Sequence, residues 1–120
     1  MKKCKIFFSE NDALTEFEVQ QKEWRGDIIV KIGDDMFMPT VITPSRLFVD
    51  FNYSINEGRL YSLDPNLVLV DKTERNTIIN ILVKLTELGF FSRMKPIDLK
   101  TKYAHSFQEL QDLKNWVQVY

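Results

Sequence analysis

Apolar and polar residues first alternate with a period of two at Lys3 to Phe8, where Cys4, Ile6 and Phe8 fall on one side. That period belongs to a strand, whose successive side chains point to opposite faces. Ser9-Glu10-Asn11-Asp12 follows as a turn. Asp27 to Ile32 repeats the alternation with Ile28, Val30 and Ile32, and Met36 to Ile42 supplies a return strand after Gly33-Asp34-Asp35. The glycine takes the positive φ of a tight hairpin loop at little steric cost. Pro39 has no N–H to offer a ladder, so the return strand is expected at an edge, or bulged there. Leu67 to Val70, a continuous apolar run between Asp64-Pro65-Asn66 and Asp71, reads as a central strand.

Elsewhere the period is helical. From Glu74 to Leu88, one face collects Ile78, Ile81, Leu82, Leu85 and Leu88, with Arg75, Asn76, Asn80, Lys84 and Glu87 opposite. Thr73 is the expected cap and Gly89 the stop. Thr43-Pro44 starts a shorter helix, threonine capping and proline at the first position, with Leu47, Phe48 and Phe51 as its buried stripe and its end before Gly58. Ser106-Phe107-Gln108-Glu109 is a capping box that opens a last helix running through Val117 and docking by Leu110, Leu113 and Val117.

Ala13 to Trp24 fits both periods. Leu14, Phe17, Gln21 and Trp24 keep a helical spacing, whereas Phe17 and Val19 alternate with Glu16, Glu18 and Gln20 as in a strand. The strand is preferred by a small margin, because the next segment is a strand and Arg25-Gly26 can turn the chain between them. Strands followed by helices predict one α+β domain over residues 1–120, a mostly antiparallel sheet with helices packed on one face.

Length and composition add exclusions. A chain of 120 residues with 44% apolar content can bury a core without a disulfide or a structural metal. Its single cysteine, Cys4, rules out an internal disulfide, a zinc ribbon and a CxxC redox pair, and alternates with Ile6 and Phe8 as a small core residue would. The apolar run after Met1 is too short for a signal sequence or a membrane span, so a cytoplasmic location is expected. His105 is the one histidine, and no spacing brings it a nucleophile. Glycine-rich phosphate loops, calcium ladders and zinc-binding histidine pairs are absent from the sequence. No enzyme activity, cofactor or metal is expected.

The net charge of -1 conceals an uneven distribution. Arg93, Lys95, Lys100 and Lys102 stand against Asp98 alone, beside Phe90, Phe91 and Tyr103. Such a mixture could bind a nucleic-acid backbone and stack on bases, but a slightly acidic chain favours an ordinary solvated face. Glu10, Asp12, Glu16, Glu18 and Glu23 stand against Lys22 alone. On a strand, Glu16 and Glu18 would share the solvent face opposite Phe17 and Val19. Together with Asp34 and Asp35 of the hairpin turn they form either a solvated face or a docking surface for a basic protein. Trp24 is either that surface's aromatic anchor or a core residue.

The order of Lys31-Ile32-Gly33, Phe37, Val41-Ile42-Thr43-Pro44-Ser45-Arg46-Leu47 and Asn66-Leu67-Val68-Leu69-Val70-Asp71 resembles the small α+β immunity proteins of bacterial polymorphic toxin and contact-dependent growth inhibition systems. The resemblance spans Ile28 to Leu85 and departs at Ile42, where that family often has cysteine. It implies a protein that binds one cognate toxin domain, often a basic nuclease, and blocks its active site without doing chemistry itself. The alternative is a small nucleic-acid-binding or regulatory module that uses the basic segment 93–102.

Overall fold

The computed structural model describes residues 3–9, 13–58, 66–97 and 116–120. In chain order the elements are β1 (Cys4–Phe8), α1 (Ala13–Lys22), β2 (Trp24–Arg25), β3 (Ile28–Ile32), β4 (Asp35–Phe37), β5 (Thr40–Ile42), α2 (Pro44–Asn56), β6 (Leu67–Leu69), α3 (Arg75–Glu87), a 3₁₀ turn (Phe90–Arg93) and β7 (Val117–Gln118). The class is α+β, as the periodicities predict, with the strands in two mostly antiparallel sheets. The first sheet has the order β4-β3-β1-β7 and the second β2-β5-β6. Among the described residues, no helix is long and apolar enough to cross a membrane.

Register explains the core. Ile6 lies opposite Val30, Phe8 opposite Ile28, and Val30 opposite Phe37, so one face of the first sheet is apolar up to Asp35, which lies opposite Ile32 at the hairpin end. Val41 and Val68, paired in parallel across the second sheet, join the same cluster, and Ile78 and Leu82 of α3 close it. The α3 face is thus the expected one through Ile78 and Leu82, with Ile81 and Leu85 half-buried beside them. Leu88 is not part of it: it is the C-cap residue, 70% exposed, beyond the last turn that faces the sheet. Apolar residues also stand on the reverse of the first sheet, where buried Ile29 and Met36 pack with Phe7, Ile97 and Trp116. Cys4 is half-buried against the main core.

Several expectations need correction. Residues Ala13–Lys22 are helical, not a strand. The helical spacing of Leu14, Phe17 and Gln21 is real, but Leu14 and Phe17 face outward at 68% and 61% exposure. The return strand is two strands: Pro39, buried and unable to extend a ladder, lies where the chain leaves β4 in one sheet and enters β5 in the other. Leu67–Leu69 is at the end of the second sheet instead of its centre, with Val68 inward and Leu69 exposed. The N-cap of α3 is Glu74, whose carboxylate accepts from the Asn76 amide, while Thr73 has its hydroxyl turned to the Val19 carbonyl. The hydroxyl of Thr77 and the amide of Asn76 hold the Glu74 carboxyl below its ordinary value. Thr43 does cap α2 as expected, with Pro44 as its first residue. Its stripe is not buried, however: Leu47 and Phe51 are half-covered and Phe48 is exposed. The last helix, with His105, lies outside the described residues apart from its final two positions, where Trp116 is in a bend and Val117 in β7.

Leu82, 1% exposed beneath both sheets, gives the first test. Leu82→Ala should destabilise by about 2–5 kcal/mol in urea titrations, the cost of an unfilled core cavity, whereas Leu88→Ala should change stability by less than about 0.5 kcal/mol.

Candidate functional site

The polar centre of the molecule is Arg25, which is 1% exposed. Its guanidinium lies 4.4 Å from the centre of the Phe8 ring, within the range of a cation–π contact. Nε and Nη2 donate to the two oxygens of Asp27 at 2.9 and 3.3 Å. Nη1 lies 3.0 Å from Glu16 Oε2 and donates to the Thr73 carbonyl at 3.2 Å. Glu16 in turn accepts from the Arg75 amide at 2.8 Å, so its carboxylate sits on the first residue of α3, where the helix dipole favours negative charge. Among the described residues, no buried side-chain nitrogen or oxygen lacks a partner.

This network fixes how α1 is presented. The helix has no buried residue; Glu16 and Val19 face inward, toward Arg25 and Thr73. Roughly opposite them, at about 100° per residue, Leu14, Phe17 and Gln21 line up on the solvent side. Glu23 ends the helix at φ 55, a left-handed conformation that a side chain makes costly, with its amide bonded to Val19 and its carbonyl to Thr43. Trp24 comes next, 42% exposed. Its indole lies against Gly26: a Cβ there would meet two ring atoms at 2.9 Å. Gly26 therefore seats the ring. A cleft of about 420 Å³ opens beside it, bounded by Trp24, Trp116, Glu18, Lys22 and Met38.

The expected acidic surface is divided. Glu18, Glu23 and Trp24 are all exposed, but only Glu18 and Trp24 share a cleft, while Glu23 borders another with Thr43, Asp71 and Lys72. Glu16 is withdrawn into the Arg25 pair and does not face solvent with Glu18, since a helix, unlike a strand, turns residues two apart to different sides. Glu10 and Asp12 lie outside the described residues. Asp34 and Asp35 are exposed at the hairpin tip, beyond the far end of the five-residue β3, about 16 Å from the Trp24 end at the rise of a strand. They border a different cleft, of about 660 Å³, over Phe37, Phe91 and Met94. Of the basic segment, Arg93 and Lys95 are exposed and Lys100 and Lys102 are outside the described residues. Among the described residues, no group of three histidine, cysteine or acidic side chains could hold a metal. Arg25, read from the sequence only as part of a turn, is the residue that periodicity missed; Asp27 two positions on, where strand side chains share a face, was the available signal.

No protein-family model, curated protein or solved structure matches the chain.

Three substitutions test this geometry. Arg25→Met leaves Glu16 and Asp27 without their cation; because those carboxylates keep 22% and 19% exposure, the loss should fall near the lower end for a broken buried pair, about 3 kcal/mol. Arg46→Met, which breaks the surface pair with Asp50, should cost less than about 1 kcal/mol. Both are read by urea unfolding. Glu23→Gly should stabilise by about 0.5–1 kcal/mol, since glycine takes the left-handed conformation without strain; a lower melting temperature would show that the glutamate side chain contributes more than its backbone costs.

Proposed function

We propose that the protein is a cytoplasmic bacterial immunity protein that binds a cognate toxin domain and neutralises it without chemistry of its own. The outward turn of α1 carries this reading. A solvated helix ordinarily hides its apolar stripe, yet here Leu14 and Phe17 are two-thirds exposed, and Trp24, just past the helix, stands exposed on Gly26. Exposed aromatic and aliphatic side chains rimmed by charge are the composition of a binding patch, and tryptophan is enriched among residues that dominate binding energy. Glu18, which borders the Trp24 cleft, and Glu23 at the end of the helix suit a basic partner, whose approach they would steer. The ordered resemblance to immunity proteins between Ile28 and Leu85 supplies the class of partner.

The test uses the toxin domain encoded beside the gene. Cells producing that domain should survive with the unaltered protein and die with the folded Phe17→Ala/Trp24→Ala variant, whose binding to the purified domain should be weaker by about 2–4 kcal/mol. Glu18→Lys should slow association, with an effect that shrinks as salt rises. Full protection and unchanged association by both variants would overturn the assignment, as would a gene neighbourhood without a secreted toxin. Salt-dependent nucleic-acid binding, abolished by neutralising Arg93 and Lys95, would favour the nucleic-acid module instead.

A further inference from the structure

Helix α2 half-covers Leu47 and Phe51 on one side and carries a second apolar face toward water. Its 13 residues contain two charges, Arg46 and Asp50, which pair with each other at 2.9 Å, and Arg46 also donates to the Lys22 carbonyl at 3.0 Å. Its first turn is tied back by the Thr43 cap, and none of its residues is buried. Phe48, Val49, Tyr53 and Ile55 are 69%, 60%, 63% and 42% exposed, with exposed Asn52 and Asn56 between them. At 100° per residue these six positions fill an arc of about 160°. No charged residue lies on that arc. Charged residues ordinarily populate the water-facing side of such a helix.

We infer that this face of α2 receives a second copy of the chain, the two helices crossing about a two-fold axis. Two-fold association presents a surface to itself, so it tolerates apolar and dipolar groups and penalises net charge. The α2 arc meets that condition. Its polar members, Asn52, Asn56 and the Tyr53 hydroxyl, each carry both a donor and an acceptor, so Asn52, in the middle of the arc, can pair with its own copy at the axis and the others with their neighbours across it. The α1 edge does not meet it, because Glu18 and Glu23 would face their own negative charges near the axis. A partner selected by charge finds nothing complementary on α2. The chemistry thus separates the two surfaces: a charged rim for a basic protein on α1, and a neutral face for self-association on α2. The size of the face limits the affinity. A helix of 13 residues is about 20 Å long, and a contact built on it falls below the ~800 Å² per partner of a standard interface. The dimer is therefore reversible and concentration-dependent.

Analytical ultracentrifugation of the full chain at physiological salt tests this, across about 1 µM to 1 mM, the range expected of a weak complex. The weight-average mass should rise from 14.2 kDa toward twice that value. Asn52 is exposed, so Asn52→Asp and Asn52→Lys should keep the parent melting temperature while weakening self-association by roughly tenfold or more. An equimolar mixture of the two variants should recover it, since opposite charges then meet across the axis. A mass that stays at 14.2 kDa throughout would overturn the inference. So would single variants that associate as the parent does, or a mixture that stays monomeric. None of these readouts involves a toxin, so the outcome is independent of the assignment made for α1.

Discussion

A single guanidinium holds the parts of this molecule in place. Arg25 touches Phe8 of one sheet, belongs to a strand of the other, pairs with Asp27 in the link between them, and reaches both α1 through Glu16 and the start of α3 through Thr73. Removing an ion from water costs several kcal/mol, and the pair's attraction offsets this only when its hydrogen bonds are satisfied. Here they are. The net gain over a hydrophobic core of the same volume is small, but hydrogen bonds have direction. What Arg25 contributes is the relative placement of two sheets and two helices.

That mode of attachment has a result at the surface. A helix that docks by an apolar stripe must bury the stripe. Helix α1 docks by a carboxylate, and α2 by half-covered Leu47 and Phe51 with Arg46 reaching the Lys22 carbonyl, so Leu14 and Phe17 of one and Phe48, Val49 and Tyr53 of the other are left outside. The same polar anchoring thus accounts for two helices that leave large apolar side chains exposed.

Much of the framework was legible because local chemistry and burial agree there. Ile6 and Phe8, Ile28 and Val30, the Gly33 turn, the Thr43-Pro44 cap and the inner face of α3 all follow from period and capping rules. The failures share one cause. Periodicity assigns apolar residues to the interior, so Phe17 and Val19 pointed to a strand and Phe48 to a buried stripe; both inferences fail where a helix is tethered by polar groups. Of the candidate site, Glu18, Glu23 and Trp24 were legible from charge and residue type. The inward turn of Glu16 was not, because its partners, Arg25 and the Arg75 amide, come from distant parts of the chain.

The Glu16–Arg75 hydrogen bond joins residues 59 positions apart at the start of α3. Amides in the first turn of a helix have no carbonyl partner within it and usually exchange with solvent quickly. The Arg75 amide is instead bound by a carboxylate that Arg25 also holds. Its deuterium uptake therefore reports the opening of the joint between α1 and α3 rather than fraying of α3, and one slow proton at a helix end becomes a gauge of whether the molecule opens piecewise or as a unit.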